Sequence, residues 1–337
     1  MQTETDIKKD RLPTVLDDIQ ARLGKEISAM NGIISDELHT EHGVVNGIID
    51  TYLVTKGKQI RPLLVMLSAT MFGEITPNVL YSAAALEMLH NATLIHDDVV
   101  DDTSLRRGKP TLNAIWGNHI AVLSGDLFVS KALSIGVKTG NIKILEALSN
   151  LGTDLSLGEM DQLFNARGHH LDEQSYFEMI RRKTASLFSG CVRVGALAVD
   201  TAEERILPLE SYANLLGLAF QIRDDIFDYF PSREIGKPTG NDLLEGKVTL
   251  PLIYALHHGP AIEAGKMRQL LTSDDPLTAP EIERLQAFAR DNGGIEYAVD
   301  VMRRFQNEGE KILAVYPDSS SKRSFQDIFR FIIERTY

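Results

Sequence analysis

The stretch "TPNVLYSAAALEMLHNATLIHDDVVDD", residues 76–102, carries the fold in its spacing and the chemistry in its last six residues. Thr76 reads as an N-cap and Pro77 takes the first helical position, where its missing N–H costs nothing. Leu80, Ala84, Met88, Ala92 and Ile95 then recur every three or four residues, the period of one helix face. The apolar run ends in Asp97, Asp98, Asp101 and Asp102. Buried carboxylates are costly unless paired or bound to a metal, so the pattern predicts a buried helix with a cation near its end.

Working outward, similar helical patterns occur near 14–36, 60–72, 111–138, 142–167, 172–199, 203–229, 247–258, 279–291, 294–316 and 320–335. Alternating strand patterns are scarce, and Asn46-Gly47, a hairpin dipeptide, sits inside a helical pattern. The expected class is all-α. "PSREIGKPTGND", residues 231–242, interrupts helix with Pro and Gly and reads as a loop over a site, while "TSDDPLTAP", 272–280, reads as plain surface.

The chain has 337 residues, 43% of them hydrophobic and 24% charged, enough apolar material for a sizeable core. A net charge of −12 argues against non-specific nucleic-acid binding, because a polyanion would be repelled. Cys191 is the only cysteine, which excludes an intramolecular disulfide and a thiolate zinc cluster; its apolar neighbours make it a small buried hydrophobe. The first residues lack an apolar signal core, and no run approaches about 18 consecutive apolar residues. A cytoplasmic protein is expected, with transient membrane-surface contact if its product is apolar.

One long-range echo matters: "LIHDDVVDD" at 94–102 is repeated as "QIRDDIFDY" at 221–229. Helix geometry puts Asp97 with Asp101, and Asp224 with Asp228, on common faces, while Asp98 and Asp225 lie about 100° round. Like charges one turn apart call for a cation, and magnesium takes one or two carboxylates plus phosphate oxygens and water. Two such triplets on facing helices would hold several magnesium ions around one diphosphate. The basic residues fit that anion: Lys58 and Arg61 in "KGKQIRP", Arg106 and Arg107 after the first triplet, Lys183 beside Thr184, then Lys237 and Lys247.

Five motifs, "GKQIRP", "LIHDDVVDDTSLRRG", "KTASLF", "QIRDDIFDY" and "GKPTGNDLLEGKVTLP", stand in the order found in trans-polyprenyl diphosphate synthases. The chain resembles that family over about residues 40–337, its long-chain octaprenyl-type branch in particular. The resemblance implies a single-domain bundle of about 10–13 helices around a deep central cavity, of the isoprenoid synthase type, forming a homodimer. It implies a helical extension over 1–40 and a catalytic domain over 41–337. It also implies Asp97, Asp101 and Asp224 as main magnesium ligands, with Asp98, Asp225 and Asp228 supporting and three ions per site.

By the same resemblance isopentenyl diphosphate is held by Lys58, Arg61, His90 and Arg107, and the allylic diphosphate by Arg106, Lys183, Lys237 and Lys247. Thr184 and Gln221 present oxygens near the developing allylic cation. Pyrophosphate leaves, the double bond of isopentenyl diphosphate attacks, and the departing pyrophosphate takes a proton. Arg335 in the C-terminal "FIIERTY" could reach a phosphate.

Residues four and five before Asp97 are Thr93 and Ala92, about one turn below the carboxylates, where short-chain members place an aromatic. Ala85 and Met88 continue the lane with small or flexible side chains, which predicts a long product, about C30 to C50, of the kind used in quinone side chains. Three rivals remain at this point: a short-chain synthase, a class I terpene cyclase, and a non-catalytic subunit of a heteromeric synthase. A cyclase has no use for "GKQIRP", and such subunits tend to lose aspartates that this chain keeps.

Overall fold

The computed structural model describes residues 15–53, 57, 59–168, 171–230, 240–273 and 275–335. Lys58 and Lys237 lie outside them. The helices run α1 Val15–Arg22, α2 Gly24–Leu38, α3 Gly43–Leu53, α4 Ile60–Phe72 and α5 Pro77–Val100. A hairpin of β1 Leu105–Arg106 and β2 Lys109–Pro110 precedes α6 Leu112–Trp116, α7 Asn118–Lys138 and α8 Ile142–Gly168. There follow α9 Glu173–Ile180, a π turn at Arg181–Ala185, α10 Ser186–Leu197 and α11 Glu203–Phe227. The last are α12 Asn241–Leu244, α13 Leu250–His258, α14 Ala261–Leu271, α15 Ala279–Asp291, α16 Gly294–Leu313 and α17 Ser320–Glu334. The all-α expectation is met.

Two compact units result. The first takes residues up to Leu148, with Cys191–Ala202 and Asp318–Ile328. Its α4 buries Leu63, Leu64, Val65, Met66 and Leu67 in succession, so its middle is apolar all round and internal. On α5, Ala83, Ala84 and Ala85 have no exposed surface, and such small side chains let α7 pack closely along it. Ser68 of α4 donates to the Val192 carbonyl at 2.6 Å, and Gly195 lets α10 cross so near that a Cβ would strike the Val65 carbonyl.

The second unit takes Ser149–Gly190, Glu203–Pro317 and the chain from Phe329. Its α11 packs chiefly on α16, and Tyr229, just past α11, joins a core of Leu252, Leu256, Met267, Leu285 and Phe288 from α13, α14 and α15. A capping box starts α15: the Thr278 N–H donates to Glu281 Oε2 at 2.8 Å. The stretch read as plain surface is therefore also a helix start. Residues 261–271, absent from the sequence-derived helices, form α14 because Ala264 and Met267 supply the buried face.

Three expected helices are interrupted. The pattern over 14–36 breaks at Leu23, between α1 and α2. The pattern over 111–138 breaks at Gly117, whose φ of +82° only glycine adopts readily. The pattern over 172–199 holds the π turn, where an extra residue widens one turn. Glycines flank that turn on both neighbouring helices of the unit. A Cβ on Gly158 of α8 would sit 2.8 Å from the Lys183 nitrogen, and one on Gly217 of α11 would sit 2.6 Å from the Ala185 Cα. Both atoms are backbone and cannot swing aside. Gly217→Ala should therefore destabilise the protein by about 1–3 kcal/mol in a urea titration, as overpacked cores do. An unchanged midpoint would show that α11 yields instead.

Candidate active site

In the first unit, α5 ends within the first acidic motif. Asp101 is its C-cap, its N–H bonding the Asp97 carbonyl at 2.8 Å, and Asp102 turns left-handed with φ +48°. Asp97 and Asp101 are half-buried, and Asp98 is buried. The C-terminal end of a helix carries partial negative charge, so acids there meet an unfavourable field that a cation relieves.

The chain then folds back at once. Arg106 pairs with Lys109 across the hairpin, and Arg107 and Gly108 form a two-residue turn with φ of +54° and +73°. Two successive left-handed residues mark a type I′ turn, which normally selects Asn-Gly. The return brings Arg106 to Asp98: Nε donates to Oδ1 at 2.8 Å and a terminal nitrogen lies 2.7 Å from the same oxygen. Asn113 Nδ2 donates to the carbonyls of Asp98 and Thr103, both at 3.1 Å, which ties the hairpin to the helix end. Sequence patterning missed this hairpin, whose only local signal is Gly108 after two arginines.

Arg61 stands in the first turn of α4, and His90 lies on α5 two turns before Asp97. Burial pushes the His90 imidazole well below its ordinary range, and Arg61, Arg107 and Arg106 push the same way. His90 is therefore neutral, a hydrogen-bonding group amid cations. Glu87, one turn earlier, is a buried carboxylate that the sequence analysis passed over; burial raises its pKa, and Arg61 and Arg107 oppose that. Ala92 has no exposed surface. Thr93 is half-buried and its hydroxyl donates to the His90 carbonyl at 2.8 Å. Cys191 is fully buried and burial drives its thiol far up, so it is no nucleophile.

A histidine whose pKa is depressed by folding takes up its proton first in the unfolded chain. Its stabilising contribution is present above the unfolded value, near 6.5, and is lost as pH falls below it. The melting temperature should drop below about pH 6.5. His90→Gln should flatten that drop, and equal slopes in the two proteins would rule out a neutral imidazole.

In the second unit, the second motif closes α11, and each acid has its own partner. Asp224, half-buried, pairs with Arg335, whose guanidinium lies over the Phe220 ring at 4.4 Å. Arg223 Nε donates to the Arg335 carbonyl at 2.7 Å and holds that segment down. Arg335 thus meets an acidic side chain. Asp225 accepts from the Tyr176 hydroxyl at 2.6 Å and from Gln221 Nε2 at 2.7 Å. Burial still lifts its carboxyl to about 6, the two hydrogen bonds pulling down and Asp224 and Asp228 pushing up. Asp228 Oδ1 accepts the N–H groups of Gly240 and Asn241, both at 3.0 Å, so it holds the first residues of α12.

Thr184 donates to Gln221 Oε1 at 2.7 Å, which makes Thr184, Gln221, Asp225 and Tyr176 one hydrogen-bonded chain. Lys183 is held by Glu159 at 2.6 Å and Gln162 at 2.9 Å, and Lys247 by Glu245. A cavity of about 300 Å³ in this unit is lined by Lys183, Thr184, Gln221, Asp225 and Lys247. The sequence missed Tyr176, which no motif marks, and the partners that Lys183 and Asp224 keep.

Among the described residues no three His, Cys, Asp or Glu side chains form a closed metal cage. The donor set still fits magnesium. Asp97 and Asp101 leave a pair of half-buried carboxylates one turn apart at a negative helix end, and magnesium fills its other positions with phosphate oxygens and water.

The polyprenyl synthetase family matches residues 42–287. The octaprenyl diphosphate synthase of Haemophilus influenzae is 31% identical, over 98% of this chain and 100% of its own. The polyprenyl synthase of Caulobacter crescentus, solved with calcium and isoprenyl diphosphate, is 29% identical with a TM-score of 0.88, over 97% of this chain and 100% of its own. The geranylgeranyl pyrophosphate synthase of Bacteroides thetaiotaomicron is 36% identical with a TM-score of 0.81, over 94% and 98%.

Proposed function

The chain belongs to the polyprenyl synthetase family, and from that premise we propose that it is a trans-prenyltransferase joining isopentenyl diphosphate to an allylic diphosphate primer of the farnesyl or geranylgeranyl type. The observation that carries this is the pair of aspartate motifs, each ending a long helix and each with cationic side chains at hand. Asp97, Asp101 and Asp224 would hold magnesium, supported by Asp98, Asp225 and Asp228. When bound, magnesium supplies electrostatic neutralisation of the leaving diphosphate.

The remaining work falls to the chain's own residues. Arg106, Lys183 and Lys247 bind the allylic diphosphate, together with Lys237; Lys183 exchanges Glu159 for phosphate oxygen as it does so. Arg61, neutral His90 and Arg107, with Lys58, hold isopentenyl diphosphate. Thr184 and Gln221 set their oxygens near the positive carbon. Asp225, fixed by Tyr176, orients Gln221. The carbocation is protected by apolar side chains that exclude water.

The product we propose is long, about C30 to C50, and Thr93 bears most on this. Ala92 is fully enclosed and Thr93 is not, so an aromatic at 93 would intrude on the tail, whereas one at 92 would first overpack the helix contacts, at about 1–3 kcal/mol. The likeness to a geranylgeranyl synthase favours a second, shorter product of C20. Chromatography of products decides. Long chains from the wild type, shortened by Thr93→Phe, support the first; a wild type that stops at C20 or below would falsify it.

A homodimer is the second part of this proposal. Among the described residues α7 is long and apolar enough to cross a membrane, yet only 39% of its apolar window is buried. Val122, Leu123, Leu133 and Val137 on α7 and Ile115 and Trp116 on α6 are exposed. An apolar face of this kind is covered by a second copy in an obligate dimer. Light scattering should give twice the chain mass, and Leu123→Glu with Val137→Glu should give monomer. A monomeric wild type would overturn the dimer without touching the chemistry.

A further inference from the structure

Arg107 stands on an exposed two-residue turn, a poor place from which to aim a long side chain. Its aim comes from across the first unit. A Cβ built on Gly57 would lie 2.5 Å from Arg107 Cζ and from one terminal nitrogen, and 2.6 Å from the other. Near-equal distances to all three atoms mean that the face of the guanidinium lies on the glycine. Its in-plane N–H edges, the donors that read a phosphate, are thereby directed past Gly57 rather than at it.

Both sides of this contact are held. Gln59, two residues after Gly57, is left-handed with φ +48°, and its amide exchanges hydrogen bonds with that of Asn31 on α2 at 3.0 and 3.3 Å. Arg107 is left-handed with φ +54° beside Arg106, which Asp98 anchors. Gly57 is not among the glycines with positive φ, so its contribution is clearance rather than backbone freedom. A methyl group there meets the far end of a flexible side chain. The fold can keep its place while the guanidinium moves.

We propose that Gly57 is a positioning residue for isopentenyl diphosphate: its bare Cα is the seat on which the Arg107 guanidinium lies, and a side chain there turns Arg107 away from the diphosphate. This rests on the assignment of Arg107 to that substrate, made above. The test is steady-state kinetics with isopentenyl diphosphate varied at saturating primer, on the full chain. Gly57→Ala should raise KM for isopentenyl diphosphate about tenfold, the size of one lost charge-assisted hydrogen bond. Primer KM and kcat should stay within about twofold and the melting temperature should not change, since the three atoms nearest the seat all belong to the mobile end of Arg107.

In an Arg107→Ala background, Gly57→Ala should add nothing, because the two changes remove the same contact. If Arg107→Ala alone leaves KM for isopentenyl diphosphate unchanged, the assignment of Arg107 is wrong and the seat falls with it. If Arg107→Ala raises KM and Gly57→Ala does not, only the seat is overturned. It is likewise overturned by a Gly57→Ala effect that persists without Arg107, or that appears in primer KM, kcat or melting temperature. Calorimetric binding of isopentenyl diphosphate without primer should follow the same order.

Discussion

An aspartate in the last turn of a long helix stands where the backbone is already negative, and much of this structure answers that one conflict. It occurs at the end of α5 and again at the end of α11, and it is met with local partners each time. At the first motif a hairpin returns Arg106 to Asp98 within eight residues. At the second, Arg335, Tyr176 and three backbone N–H groups share the three acids. Asp97 and Asp101, half-buried on the shared face, are the acids to which the function proposed above gives a divalent cation.

Arginines and lysines in such a setting act as held charges rather than as surface decoration. Lys183 keeps Glu159, Lys247 keeps Glu245 and Arg335 keeps Asp224, so each cation is already desolvated and directed by a carboxylate. In the function proposed above, a diphosphate at Lys183 and Lys247 would replace one anion with another, at a smaller desolvation cost than a fully hydrated lysine would incur. His90 belongs to the same scheme by opposite means: burial, aided by three neighbouring arginines, lowers its pKa and disfavours another positive charge there.

Most of the helical frame was legible because α5 and α11 are long, largely apolar helices and α16 and α17 carry a clear apolar period, and the acidic repeat stood out against them. What was illegible depends on backbone state or on distant partners. Gly117 and the π turn break helices whose apolar spacing continues across the interruption, so periodicity alone passes over them. The Arg107-Gly108 turn lacks the asparagine that usually announces it, since Arg107 bears the left-handed strain itself. Tyr176 carries no motif and is defined only by reaching Asp225. Ala92 and Thr93 look alike as small residues in the chain, yet the helix encloses one and leaves the other partly open.

The widened turn at Arg181–Ala185 has a consequence for how the chain tolerates change in length. A π turn holds one residue more than the α turn it replaces, so deletion of a single residue between 181 and 185 would let regular helix form with its hydrogen bonds intact. The wide turn absorbs its extra residue locally, so α9 and α10 would keep their mutual facing and only the residues of the turn itself would be re-aimed. Lys183 and Thr184 belong to that turn and could not both keep Glu159 and Gln221 after such a deletion. The helix would gain regularity and the site would lose its register, which makes this short segment intolerant of deletion although nothing in its composition signals it.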